Sequence, residues 1–155
     1  MKPFPRVALV GLALTAAVNV VFAQAPKSSS PTTMSVVRRV GCGCCLKWVE
    51  QMEKAGYKAT VTESPEIEAL KDEKGVPKAA RSCHTAVIDG YVIEGHVPVA
   101  DVKRLLQTRP KVAGLAVPGM PQGSPGMEVA SGVTEAFDVL AFDKAGKTSV
   151  FASHR

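Results

Sequence analysis

Three of the chain's four cysteines fall within four consecutive residues, Cys42-Gly43-Cys44-Cys45, and the fourth stands far downstream in Cys83-His84. Sulfurs this close in sequence cannot staple distant parts of a fold, so disulfide bracing accounts well for at most one bridge. Chemistry at the cysteines therefore has to be weighed beside any bracing role. Thiolates are soft donors that select Cu(I), Zn(II) or iron–sulfur centres, and they are redox-active. Thiol–disulfide exchange and soft-metal binding therefore compete as functions from the outset.

The cysteine run opens onto an amphipathic helix. Cys45, Trp48, Val49, Met52 and Ala55 keep helical spacing, and Gly56 is a natural stop. Before it, Met34 to Val40 reads as a strand and Gly41 to Cys44 as a turn. After it, Tyr57 to Thr62 alternates like a strand. Ser64-Pro65 is an N-cap followed by proline, which predicts a short helix from Glu66 to Lys74 ending at Gly75. Thr85 to Asp89 and Tyr91 to Glu94 read as strands joined at Asp89-Gly90, a strong hairpin signal. Val99 to Thr108 returns to helical spacing and stops before Pro110. Ala113 to Met127, rich in Gly and Pro, reads as a long functional loop, and Thr134–Asp143 with Thr148–Ala152 as a closing hairpin.

The order is β-α-β-α-β-β-α, that of the thioredoxin-like fold. The expected class is thus α/β: a thioredoxin-like domain over 35–110, with a C-terminal extension over 111–155 made of the loop and the hairpin. In that fold the cysteine run occupies the N-terminus of the first helix, and Cys83-His84 lies in the loop facing it. All four cysteines are expected to meet in space.

The N-terminus bears on compartment. Lys2 and Arg6 precede an apolar run from Val7 to Ala23 broken by Thr15 and Asn19, a signal peptide with cleavage expected after Ala23 or, alternatively, Ala25. Residues 24–34, rich in Pro, Ser and Lys, read as a disordered leader. An exported, periplasmic protein with no stable membrane insertion after cleavage follows. Loss of Lys2 and Arg6 leaves 17 basic against 14 acidic residues. That excess is too small to argue for nucleic acid.

Cys42 and Cys45 have Cys-x-x-Cys spacing and are the redox candidates, because a helix N-terminus favours a thiolate. Cys44 invites scrambling in a disulfide exchanger but adds a donor to a metal site. As neighbours, Cys44 and Cys45 are poorly disposed to grip one tetrahedral ion. They can serve or bridge two, which suggests a polynuclear Cu(I) site over a single Zn(II). Plain structural disulfides stay open as a third reading. Cys83 and His84 add a thiolate and an imidazole. His96 is as readily a structural histidine as a ligand. Met120 and Met127, placed among glycines and prolines, can offer thioether sulfur to Cu(I).

Taken together, Cys42-Gly43-Cys44-Cys45 with Trp48, Ser82-Cys83-His84-Thr85, Gly90-Tyr91, Glu94-Gly95-His96-Val97-Pro98, Leu105-Leu106 with Pro110, and the stretch from Gly114 through Met120-Pro121 to Gly123-Ser124-Pro125-Gly126-Met127-Glu128 resemble the CopG-type periplasmic copper proteins. The resemblance spans nearly all of residues 35–151. It departs from the pattern at Arg38-Arg39-Val40-Gly41. It implies a thioredoxin-like domain, copper at the cysteine motif and a place in copper resistance, with interconversion of Cu(I) and Cu(II) as a proposed role. It leaves catalysis open between a Cu(I) carrier and a copper or thiol oxidoreductase. Copper ions, and copper efflux or chaperone proteins, are the expected partners of a monomer.

Overall fold

The computed structural model describes residues 32–155, so the expected signal peptide and all but the end of the leader lie outside the described residues. Among the described residues no helix is long and apolar enough to cross a membrane.

The first strand, β1 (Thr33–Arg38), starts within the expected leader: Met34 is buried, and its burial against the core draws the chain in. It also ends earlier than expected. Val40 lies in the following turn, 63% exposed. The first helix, α1 (Gly43–Lys54), buries Cys45, Trp48, Val49 and Met52, the stripe its spacing predicts. It begins two residues before Cys45, so Cys44 and Cys45 both sit in its first turn and Cys42 is the residue that leads into it. Strand β2 (Lys58–Glu63) follows, then α2 (Ile67–Glu73) and a short 3-10 turn (Lys78–Ala80) that the sequence pattern did not reveal. Ser64 is not the cap of α2 but closes a local turn, its hydroxyl accepting from the Glu66 amide at 3.1 Å.

Strands β3 (His84–Ile88) and β4 (Tyr91–Glu94) form the expected hairpin, with positive φ at both Asp89 and Gly90, as a tight primed turn requires. The third helix, α3 (Val99–Thr108), has the predicted limits. Part of the expected loop is a strand: β5 (Gly114–Ala116) is fully buried and pairs in parallel with β4. Strands β6 (Phe137–Phe142) and β7 (Thr148–His154) complete the molecule.

The seven strands among the described residues form one sheet in the order β2-β1-β3-β4-β5-β6-β7. The result is a mixed α/β fold in which β1/β2 and β4/β5 are parallel pairs, joined through α1 and α3, and the other pairs are antiparallel. The sheet separates two apolar clusters. The larger joins Trp48, Val49 and Met52 of α1 and Val102 and Leu105 of α3 to Val36, Ala86, Ile93, Leu115 and Val139. On the opposite face Val92, Ala116 and Phe142 pack with Val76 and Ala80. Residues 111–155 therefore extend the sheet and share its main core.

Candidate metal centre

The centre is assembled where the N-terminus of α1 meets the start of β3. The Arg39 amide donates to the Cys83 carbonyl at 3.2 Å, and the Cys42 amide closes the turn onto the Arg39 carbonyl at 3.2 Å. The Arg38 guanidinium donates to the Cys42 carbonyl at 3.0 Å and pairs with Glu63, tying the turn to β2. Backbone pairing thus brings the cysteine turn and Cys83 together across a separation of 38 residues.

Cys42 and Cys45 form a disulfide, while Cys44 and Cys83 are free thiols. Adjacent Cys44 and Cys45 both meet Cys42, Cys45 through the disulfide and Cys44 as a free thiol beside it, and they differ in burial. Cys44 Sγ lies 3.3 Å from Cys42 Sγ in a half-exposed position, and buried Cys45 Sγ lies 3.3 Å from Cys83 Sγ. The four sulfurs lie within 4.8 Å of one another, and so do the donor atoms of Cys83, His84 and His96. Cys83 belongs to both groups.

Both imidazoles are fully buried. Cys83 Sγ is 3.4 Å from His84 Nδ1 and 3.0 Å from His96 Nε2. His96 Nδ1 faces the Pro125 carbonyl at 2.8 Å, and a carbonyl can only accept. The proton therefore belongs on Nδ1, and the lone pair of Nε2 is aimed at the Cys83 sulfur. His84 packs against the Trp48 ring at 4.5 Å and edge-on to His96 at 5.1 Å, and its Nε2 is buried without a partner. Burial pushes the Cys83 thiol up to about 11, aided by Cys44 and opposed by the Ser82 hydroxyl. Burial pushes His84 well below the ordinary histidine value, with His96 and Lys71 adding to the effect, and it lowers His96 as well. A neutral thiol, two neutral imidazoles and an unpartnered buried nitrogen suit a soft cation, which would take up lone pairs that burial has stripped of water.

The C-terminal segment reaches this centre. Gly126 lies against the first turn of α1, where a Cβ would stand 2.7 Å from the Cys44 carbonyl oxygen and 2.9 Å from the Trp48 nitrogen. Met120 is 50% exposed and lines a cavity of about 340 Å³ with Arg39, Arg81, Ser82, Cys83 and Gly119. Met127 follows Gly126, half-buried, its amide donating to the Ser124 carbonyl at 2.7 Å. His96, left undecided by sequence, stands nearest to Cys83 of the two histidines. His154 bonds Asp101 at 2.8 Å and stacks on Phe137.

Sequence reasoning passed over a charged group on the opposite face of the sheet. Lys71 and Glu94 are fully buried and pair with each other. Each takes an inward position on its element that spacing alone does not reveal for a charged residue: Lys71 lies four residues after buried Ile67 on α2, and Glu94 shares the face of Val92 along β4.

A family model described as a protein of unknown function, DUF411, matches residues 80–127. No curated protein matches the chain. Two solved structures of a copper resistance protein, copG in its form 2 and form 1, superpose with TM-scores of 0.76 and 0.75 at 42% and 43% identity. The matches cover 81% and 80% of this chain and 99% and 98% of theirs. With that identity sustained over nearly the full length of those structures, the chain belongs to the CopG family of copper resistance proteins.

Proposed function

We propose that this protein is a periplasmic copper-binding protein of copper resistance that holds Cu(I), in a polynuclear thiolate site, on a thioredoxin-like core. The single observation that carries this reading is the sharing of Cys83 between a four-sulfur group and a sulfur–imidazole group. A thiolate common to two donor sets can bridge two ions, and a soft, sulfur-rich set with neutral imidazoles favours Cu(I) over Zn(II). The sheet order β2-β1-β3-β4, with β3 antiparallel to its neighbours, supports the thioredoxin-like reading of the core.

The chain's own residues supply the chemistry. A dithiol reductant delivers two electrons and two protons to the Cys42–Cys45 disulfide and opens the four-sulfur group. Loading copper displaces the Cys83 proton, so uptake releases protons and weakens in acid. His96 is held ready by the Pro125 carbonyl, a partner of the kind that commonly orients metal-bound imidazole. Met120, at the mouth of the cavity leading to Cys83, and Met127, beside α1, are proposed as thioether donors that cap the site.

One observation favours a second reading. The Cys42–Cys45 disulfide at the N-terminus of α1 is the arrangement of a thiol–disulfide oxidoreductase. Anaerobic titration of reduced protein with Cu(I), in competition with equimolar Zn(II), separates the two. We expect more than one copper per chain, zinc excluded, and weaker Cu(I) retention after Met120→Leu with Met127→Leu. Reversible passage between a colourless reduced and a coloured oxidised form without metal loss identifies the copper as redox-active. Ejection of copper on oxidation makes the protein a thiol-gated carrier. Zinc retention together with copper-independent reduction of disulfide substrates sinks the copper reading.

A further inference from the structure

The buried Lys71–Glu94 pair offers no donor to the candidate centre, yet its bonding is directed at it. Lys71 Nζ donates to Glu94 Oε1 and, at 3.1 Å, to Thr85 Oγ1. The Ser82 amide donates to Glu94 Oε1 at 2.6 Å, and the Thr85 hydroxyl donates to Glu94 Oε2 at 2.6 Å. Ser82 and Thr85 are the two residues that bracket Cys83 and His84. One carboxylate therefore holds both ends of a four-residue segment whose middle carries a sulfur and an imidazole of the centre. The backbone adds one attachment to the segment, the Gly95 amide donating to the His84 carbonyl at 2.9 Å, while the Val117 amide holds Glu94 itself by its carbonyl at 3.0 Å.

A fully buried ion pair is a poor source of stability, because taking two charges out of water offsets their attraction, and apolar replacements of similar size often serve the fold as well. Apolar side chains could not accept an amide proton at residue 82 and a hydroxyl proton at residue 85. A carboxylate can do both, and a carboxylate sealed from water needs a counter-charge such as Lys71. We propose that Glu94, neutralised by Lys71, is a positioning residue that sets the Cys83-His84 segment in the geometry that receives the metal. This inference rests on the copper reading above and assigns neither residue as a ligand.

The test separates grip from charge and from stability. Lys71→Met with Glu94→Gln removes both charges but leaves an amide able to bond Ser82 and Thr85. Lys71→Met with Glu94→Leu and Thr85→Val removes the grip. Each variant is measured for its urea midpoint without metal, for Cu(I) affinity by chelator competition, and for the rate at which iodoacetamide alkylates Cys83, followed by mass spectrometry. The grip-retaining variant is expected to bind Cu(I) like the parent. The gripless one is expected to unfold cooperatively yet bind about tenfold or more weakly, a loss of the size that follows removal of a ligand's outer partner, and to alkylate faster at Cys83. If the gripless variant does not fold, Thr85→Val alone, which keeps the ion pair, should still weaken binding several-fold. Parental affinity together with a parental alkylation rate in folded gripless protein overturns the proposal. A parent that binds no Cu(I) at its cysteines sinks the copper reading instead, and the alkylation rate alone then decides the clamp.

Discussion

A thiol pushed up to about 11 and two imidazoles pushed down, all by burial, share one wall of the candidate centre. Each prefers its neutral form in the folded protein, and this gives the metal-free protein a pH signature. His84 and His96 titrate lower when folded than when unfolded, so their stabilising effect is present above the ordinary histidine value of 6.5 and is lost as pH falls through the depressed values. Cys83 titrates higher when folded, so its effect is present below the ordinary thiol value of 9.0 and is lost as pH rises through about 11. Urea midpoints of metal-free protein should form a plateau between those ordinary values. The acid limb should fall by up to about 1.4 kcal/mol per pH unit for each histidine. A midpoint flat from pH 6.5 down to 5 would contradict the burial of both rings. The cysteines and Cys83-His84 were legible as candidates because residue type alone states their chemistry. Lys71 and Glu94 were not, since a charged residue on a short helix or strand normally faces water, and only the fold shows these two facing each other.

At the scale of elements, the segment after β5 is joined to α1 through Gly126. Its φ of +87° and its approach to the Cys44 carbonyl and the Trp48 nitrogen leave no place for a side chain. Gly126→Ala combines left-handed strain of about 1 kcal/mol with overpacking of about 1–3 kcal/mol. It should lower stability by the sum and also weaken Cu(I) binding, because the neighbouring Pro125 carbonyl leaves His96. Gly146→Ala, in the turn between β6 and β7, is the control: its φ is +81°, and a Cβ there meets nothing within 4 Å. It should show the strain alone, with copper affinity retained. Equal losses in the two variants, by urea unfolding and chelator competition, would remove Gly126 from any part in the site. Helix α3 and the hairpin at Asp89-Gly90 were readable because their signals are local, apolar spacing in one and turn chemistry in the other. Strand β5 was not: three residues are too few to show a period, and pairing with β4 and β6 is what makes Gly114–Ala116 a strand.

For the whole molecule, the same pairing bears on the expected division at residue 110. Leu115, Val117 and Val139 belong to the main core beside Trp48 and Ile93, and β5 covers the edge of β4. Deleting residues 111–155 would strip that core and expose Val92–Glu94 as an open edge. We expect the remaining fragment to show no cooperative urea transition and poor dispersion in its amide spectrum. A fragment that unfolds cooperatively would establish residues 35–110 as a unit able to fold alone. What sequence alone determined about this protein is the type and order of its local elements and the presence of soft donors, because side-chain periodicity, turn residues and thiol chemistry are properties of short stretches. The tertiary structure decided which donors converge on Cys83, that His96 joins them, that the C-terminal strands complete one sheet, and that a buried carboxylate braces the segment bearing Cys83 and His84. Those outcomes depend on contacts between residues far apart in the chain, and such contacts are set by how the sheet pairs and what its faces must bury.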